Sequence, residues 1–370
     1  MTGPDTTTAA AHAWLALALV EGLSARKAFA LVEVCGSPEA VVAMAPVGLE
    51  RHGLGPELAR RVRVAWGEVA SERDRLARTG AAVITWADTA YPARLRTIPD
   101  PPVALFVRGA IEATDDLAVA VVGARRAGEY GRRVAGDLGR GLAQAGITVV
   151  SGLAAGIDAA GHRGALDAGG RTLAVMATGI DRVYPSWHRE LARDIGTQGA
   201  LVTEFPCGTT PRQFHFPQRN RIIAGLTVGT VVVEAAEGSG SLITAEFAME
   251  QGREVFAVPG PIGTANHRGC HRLIQQGATL VTSVDDIVDA VAPALRGRVA
   301  AARAAIEQAS LTAAEQRLLE AIGEGVSHVD QAAECSGLGA GVVLETLLAL
   351  ELRGLVEQRP GMRFVRRRAA

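Results

Sequence analysis

The chain has 370 residues, 48% hydrophobic and 21% charged, with a formal net charge of −1. A single core rarely grows past about 250–300 residues, so this length favours one large domain with smaller attachments. The composition is that of a folded soluble protein; it excludes a uniformly basic chain wrapped in nucleic acid and leaves room for a local basic cleft.

The opening MTGPDTTTAAAHAW lacks the basic region of a signal peptide, and Arg or Glu interrupts the apolar stretches that follow. The expectation is a chain that is neither secreted nor membrane-spanning, located in the cytoplasm. Cys35, Cys207, Cys270 and Cys335 lie far apart with no C-x-x-C pair, which argues for reduced thiols and against a metal site. Lys27 is the only lysine, so nearly all positive charge is arginine.

Residues 9 to about 75 read as short helices, from apolar positions three and four apart. Gly53-Leu54-Gly55 followed by Pro56 and Glu57 gives the helix-hairpin-helix pattern, readable as a phosphate-facing turn or as a plain packing turn. From 81 to about 292, apolar runs alternate with helical segments. Strands are expected at Ala82–Trp86, Ala118–Val122, Thr148–Ser151, Leu173–Met176, Ala200–Thr203, Thr230–Glu234, Val255–Val258 and Thr279–Val281, with Val103–Val107 at the sheet edge. Helices are expected at about 129–144, 157–167, 187–196, 219–226, 241–251 and 271–276. That alternation implies an α/β fold, a Rossmann-like, doubly wound, mostly parallel sheet covered on both faces. Three helices at 311–322, 328–335 and 340–354, then a ribbon through Leu355–Phe364, follow the winged-helix order. The expected domains are a helical 1–75 (SAM or helix-hairpin-helix type), a Rossmann-like 76–295, a linker 296–309 and a winged helix 310–370.

Three glycine-containing loops follow strands and open helices: Gly123-Ala124-Arg125-Arg126, Ser151-Gly152 through Gly156, and Gly238-Ser239-Gly240-Ser241. Their backbone N–H groups could hold anions, at the strand ends where open parallel sheets bind ligands. G-x-G-x-x-G is absent, and Ser151 ends the strand where an NAD site would want Asp or Glu. Glu129 stands where a Walker motif needs lysine, so ATP hydrolysis loses its main support. No cofactor is expected.

Between Phe205 and Val233 there is no acidic residue, while Arg212, Arg219 and Arg221 are present and interleave with Phe214 and Phe216. Arginine forks match phosphates and an exposed Phe can stack on an unpaired base, as single-strand recognition requires. The alternative puts the phenylalanines in the core and the arginines in solvent, with Asn220 capping or bracing the turn. His162 lies four residues after Asp158, but without a metal-ligand cluster, H-E-x-x-H or G-x-S-x-G the pair is weak support for catalysis.

The motifs run in order from Val122-Gly123-Ala124-Arg125 through SGLAAGIDAAGHRGALDAGG, Tyr184-Pro185, FPQRNRIIAG, VVVEAAEGSGSLITA and GREVFAVPG to Gly277-Ala278. In this the chain resembles the bacterial DNA-processing family DprA, also called Smf, over nearly its whole length. The resemblance implies a non-catalytic, homodimeric protein that binds and protects single-stranded DNA in natural transformation and loads the RecA recombinase. Arg125 and Arg219-Asn220-Arg221 match family positions by the motifs that hold them. His271 and His188 stand where the family usually has Asn, which puts local geometry in doubt. Two other readings remain: an enzyme cleaving nucleotide 5′-monophosphates, whose motif spacing Gly238, Gly240, Thr244 and Glu246 do not reproduce, and a double-strand-binding winged-helix regulator.

Overall fold

The computed structural model describes residues 8–295, 311–323, 326–352 and 355–366. The chain divides into two compact units, Met1–Arg296 and Gly297–Ala370. The expected linker 296–309 lies outside the described residues.

The first unit begins with α1 (Ala9–Leu19), α2 (Ala25–Cys35), α3 (Pro38–Ala43), α4 (Pro46–Arg51) and α5 (Pro56–Arg78). Side-chain caps set three of these starts: Thr8, Ser24 and Ser37 accept from the N–H groups of Ala11, Lys27 and Ala40. The Gly53 turn leads into α5 with φ of 81°. Glu57 sits in that helix's first turn and pairs with both Arg60 and Arg61, so protein carboxylate already meets the positive helix end.

Nine strands then form one sheet: β1 (Ala81–Thr85), β2 (Ala104–Gly109), β3 (Ala118–Val122), β4 (Thr148–Ser151), β5 (Thr172–Val175), β6 (Ala200–Thr203), β7 (Gly229–Val232), β8 (Glu254–Ala257) and β9 (Thr279–Leu280). Their spatial order is β1-β2-β6-β5-β4-β3-β7-β8-β9. Pairing is parallel from β6 through β9 and antiparallel at β1–β2 and β2–β6. This is the expected Rossmann-like sheet, with one difference: the 103–107 strand is internal and β1 forms the edge. Helices α7 (Glu129–Gln144), α8 (Ile157–Asp167), α9 (Arg189–Gln198), α10 (His215–Gly225), α11 (Gly240–Glu250), α12 (Arg268–Gln275) and α13 (Val284–Val291) alternate with the strands, and the single turn α6 (Ala93–Arg96) lies between β1 and β2.

Strand alternation builds two cores. Phe106, Ala174 and Leu201 face α1, α5 and α9, whereas Leu105, Leu173, Val175 and Val202 face α10 and α11. Helices α7 and α8 cross so closely that a Cβ on Gly139 would lie 2.3 Å from the Gly161 carbonyl oxygen. Only glycine allows that approach.

Helix α10 starts at His215, earlier than the expected 219. Pro217 falls in its first turn, where N–H groups lack intrahelical partners, so its missing donor costs nothing.

In the second unit, α14 (Ala313–Ile322), α15 (Val329–Ser336) and α16 (Ala340–Leu352) pack with β10 (Val326–His328), β11 (Val356–Arg359) and β12 (Arg363–Arg366), in sheet order β10-β12-β11. Leu318, Ile322, Val343, Leu347, Val356 and Phe364 form its core. The winged-helix architecture is present, with β10 as a third strand that periodicity missed.

Candidate nucleic-acid interface

The chain moves one way across the sheet from β3 through β4, β5 and β6, then returns by α10 to β7 on the other side of β3. The crevice outside the β3 and β7 carboxyl ends is therefore the switch point where open α/β sheets take ligands. Glu234, buried just beyond β7, shapes it. Its carbonyl accepts from the Ala124 N–H at 2.7 Å and its carboxylate accepts from the Gly128 N–H at 3.1 Å. Asn266 donates to the same carboxylate at 2.7 Å. With both ends of the first glycine loop tied, Arg125 and Arg126 stand out in solvent between them.

The second glycine loop is built differently. Ser151 Oγ is buried and donates to the Val121 carbonyl at 2.6 Å. The Gly152 and Ala154 N–H groups both donate to the Asp158 carboxylate, at 3.1 and 3.3 Å. Those donors are spent inside the protein, which corrects their expected use as phosphate ligands. Leu153 between them has φ of 59°, a left-handed conformation that strains a branched side chain by about 1–3 kcal/mol. The His188 Nδ1–H holds its carbonyl at 2.9 Å. His188, in the position where Asn was expected, is thus a buried brace. His271 also bonds backbone, Nε2 to the Gly260 carbonyl at 2.9 Å.

Residues 219 and 221 are about 200° apart around α10 and enter different surroundings. The Arg219 guanidinium is buried against the second loop, donating to the Gly152 carbonyl at 2.8 Å, to the Val175 carbonyl and to Asn220 Oδ1. A Cβ on Gly152 would lie 2.4 Å from Arg219 Nη2, so a side chain there would displace the guanidinium. Burial pushes Arg219 down to about 10, opposed by the nearby Asp158 charge; the group stays protonated at neutral pH. Arg221, also buried, makes a two-pronged pair with Glu204 at 2.6 and 2.7 Å, and its Nε donates to Asp100 at 2.9 Å. Neither arginine is an open phosphate ligand in this geometry, contrary to expectation. Asn220 Nδ2 donates to the Gly240 carbonyl at 3.1 Å, which ties α10 to the third loop. In that loop Gly238 and Gly240 are exposed, and the Ser239 and Ser241 hydroxyls share a 2.9 Å hydrogen bond.

Two arginine–aromatic pairs lie around the start of α10. Arg125 lies 4.6 Å above the half-buried Phe216 ring, which meets the Tyr184 ring at 5.8 Å. Phe214 is 60% exposed, with Arg212 6.0 Å from its ring centre. Arg212 is exposed and pairs with Glu21 of the helical segment at 3.2 Å. Tyr184 adds a surface that the basic-segment reasoning missed; an aromatic beside Pro185 in a turn was its only local signal.

Asp158 and His162 do not act together. His162 Nδ1 meets Thr172 Oγ1 at 2.7 Å, and burial pushes the imidazole down to about 3. Among the described residues, no group of three or more His, Cys, Asp and Glu is placed to hold a metal ion. No single helix among them is long and apolar enough to cross a membrane.

The profile of DNA recombination-mediator protein A matches residues 82–292, and the DprA winged helix domain profile matches 300–362. The chain belongs to the DprA/Smf family. It is 43% identical over 284 residues to Protein Smf of Escherichia coli K12, covering 76% of each chain. Over 369 residues it is 39% identical to a putative DNA processing protein DprA of Mycobacterium tuberculosis H37Rv, covering 95% of this chain and 93% of that protein. Among solved structures, Streptococcus pneumoniae DprA superposes with a TM-score of 0.68 at 36% identity, over 75% of this chain and 97% of that one. DNA processing protein A of Helicobacter pylori shares the fold, with a TM-score of 0.52 at 24% identity over 57% and 94%.

Proposed function

We propose that this chain binds single-stranded DNA at the switch-point cleft as a stoichiometric mediator of DNA recombination. Arg125, Arg126 and Arg212 hold phosphates, and Phe214 or Phe216 stacks a base. The carrying observation is two exposed arginine–aromatic contacts, Arg125 over Phe216 and Arg212 beside Phe214, near strand ends whose loops are tied down from beneath. Arg219 and Arg221 act as braces, and Gly123, Gly152 and Gly156 permit the loop packing. The third loop, with Gly238, Ser239, Gly240 and Ser241, borders the cleft and supplies a further helix start toward phosphate. Support also comes from the H. pylori relative, described for its single-stranded DNA binding mode.

The finer reading is that a homodimer protects incoming strands in natural transformation and loads RecA, without turnover. Two clefts on one strand would raise the effective concentration of the second contact. Fluorescence anisotropy with matched single- and double-stranded oligonucleotides across a salt series tests the core claim. Single-strand preference with a clear salt slope is expected. Equal affinity for both forms, or release of ribose 5-phosphate from nucleotides, would overturn it.

A further inference from the structure

Tyr184 has two sides. One touches Phe216 of the cleft; the other lines a separate cavity of about 850 Å³ between the segment after β5, helix α9 and strand β2. Arg108, Arg182, Arg189 and Arg193 line that cavity. Arg189 and Arg193 lie four residues apart on α9 and so share a face, while Arg108 comes from β2 beneath them. The one carboxylate in the lining, Asp181, already accepts the Gly208 N–H at 2.8 Å. Arg193 is paired with Glu190 and Asp194 at its rim.

The guanidiniums of Arg108, Arg182 and Arg189, unlike that of Arg193, have no hydrogen-bonding or ionic partner among the described residues. Arg108 is half-buried, and burial pushes its guanidinium down from its ordinary value, with no carboxylate compensating. Three guanidiniums lining one cavity without a carboxylate partner leave donors open to an anion. Trp187, 74% exposed, stands between Tyr184 and Arg189 in sequence and offers another flat apolar face.

We infer that this cavity is a second backbone station for the same strand, taking the phosphodiesters that leave the cleft over Tyr184. The inference rests on the proposed strand-binding reading and adds residues outside the first cleft. An open, polar space of this size holds a lone phosphate weakly. A strand already anchored at Arg125 delivers its next phosphates at millimolar effective concentration, which makes the same arginines effective. Arg182 and Arg189 reach outward from a turn and a helix surface, so both are free to follow a flexible backbone.

The test uses the full chain, labelled oligothymidylates of about 6 and about 20 nucleotides, and the double variant Arg182→Ala/Arg189→Ala, with Arg125→Ala as reference. On the long strand the double variant should lose about 1.4 from the salt slope, at roughly 0.7 per phosphate. Between 50 and 200 mM salt, its affinity should therefore fall about 7-fold less steeply than wild type. On the short strand, which fills only the cleft, it should match wild type, whereas Arg125→Ala weakens both. Arg182→Lys/Arg189→Lys should restore most of the slope, since the charge is kept. Wild-type behaviour of the alanine double variant on the long strand, with Arg125→Ala still impaired, would overturn the second station and leave the cleft intact. Equal losses on both lengths would overturn it too, by placing these arginines in the first contact. Failure of wild type to prefer single strands would remove the cleft itself.

Discussion

Substituting Arg219 and Arg125 separately distinguishes a brace from a ligand-binding side chain. Arg219→Ala removes donors from the Gly152 and Val175 carbonyls and strips the buried Asp158 of its nearby positive charge. Breaking a buried charged network by deleting one partner costs about 3–5 kcal/mol, because the partner left behind stays desolvated. For the unit Met1–Arg296, an unfolding entropy of about 2.1 cal/mol/K per residue makes each kcal/mol worth about 1.6 °C in Tm, giving an expected loss of about 5–8 °C. Arg125 is exposed, so Arg125→Ala should change stability by less than about 0.5 kcal/mol and leave Tm nearly unmoved. Its single-strand salt slope should instead drop by about 0.7. Scanning calorimetry beside anisotropy reads both quantities. An Arg219→Ala protein with wild-type Tm and weakened binding would refute the brace and return Arg219 to the phosphate contacts.

Three further outcomes are expected. Phe214→Ala should leave Tm unchanged, since the ring is largely exposed, and weaken single-strand binding by about 1–3 kcal/mol if the ring stacks a base; unaltered affinity would assign stacking to Phe216. Glu21→Gln should release Arg212 from an exposed pair worth less than about 1 kcal/mol, raising affinity modestly with little change in urea midpoint; reduced affinity would show that Glu21 positions Arg212 productively. His162 has its pKa depressed from 6.5 to about 3, so the unfolded chain binds the extra proton first as pH falls. Its contribution to stability is intact above pH 6.5 and is lost toward pH 3 by up to about 1.4 kcal/mol per unit. Urea titrations of wild type and His162→Gln should therefore converge in this range, and parallel pH profiles would contradict the buried neutral imidazole.

Periodicity alone located the parallel strands and most helices, because buried β-runs and amphipathic helices differ in spacing over enough residues to be told apart. Strand order was less accessible. Val103–Val107 and Ala82–Trp86 both read as strands, but nothing local distinguishes the edge strand from the one inside it. The site shows a sharper limit. The acid-free run from Phe205 to Val233 suggested free arginines, yet Glu204, Asp100, Asp158 and Glu21 reach Arg221, Arg219 and Arg212 from outside that window. An arginine bound to a distant carboxylate looks, in sequence, the same as one awaiting phosphate. The loop glycines were recognisable as strand-to-helix turns, but the assignment of their N–H groups depended on Glu234 and Asp158, whose roles appear only when the strands are assembled.

Photo-cross-linking of a 5-iodouracil-substituted single strand, followed by peptide mass spectrometry, asks most directly where the strand lies. The expected adducts fall on Phe214, Phe216 or Tyr184, in the peptides around the switch-point cleft. Adducts confined to residues 311–366, with none in the α/β unit, would contradict the account and make the winged helix the nucleic-acid surface.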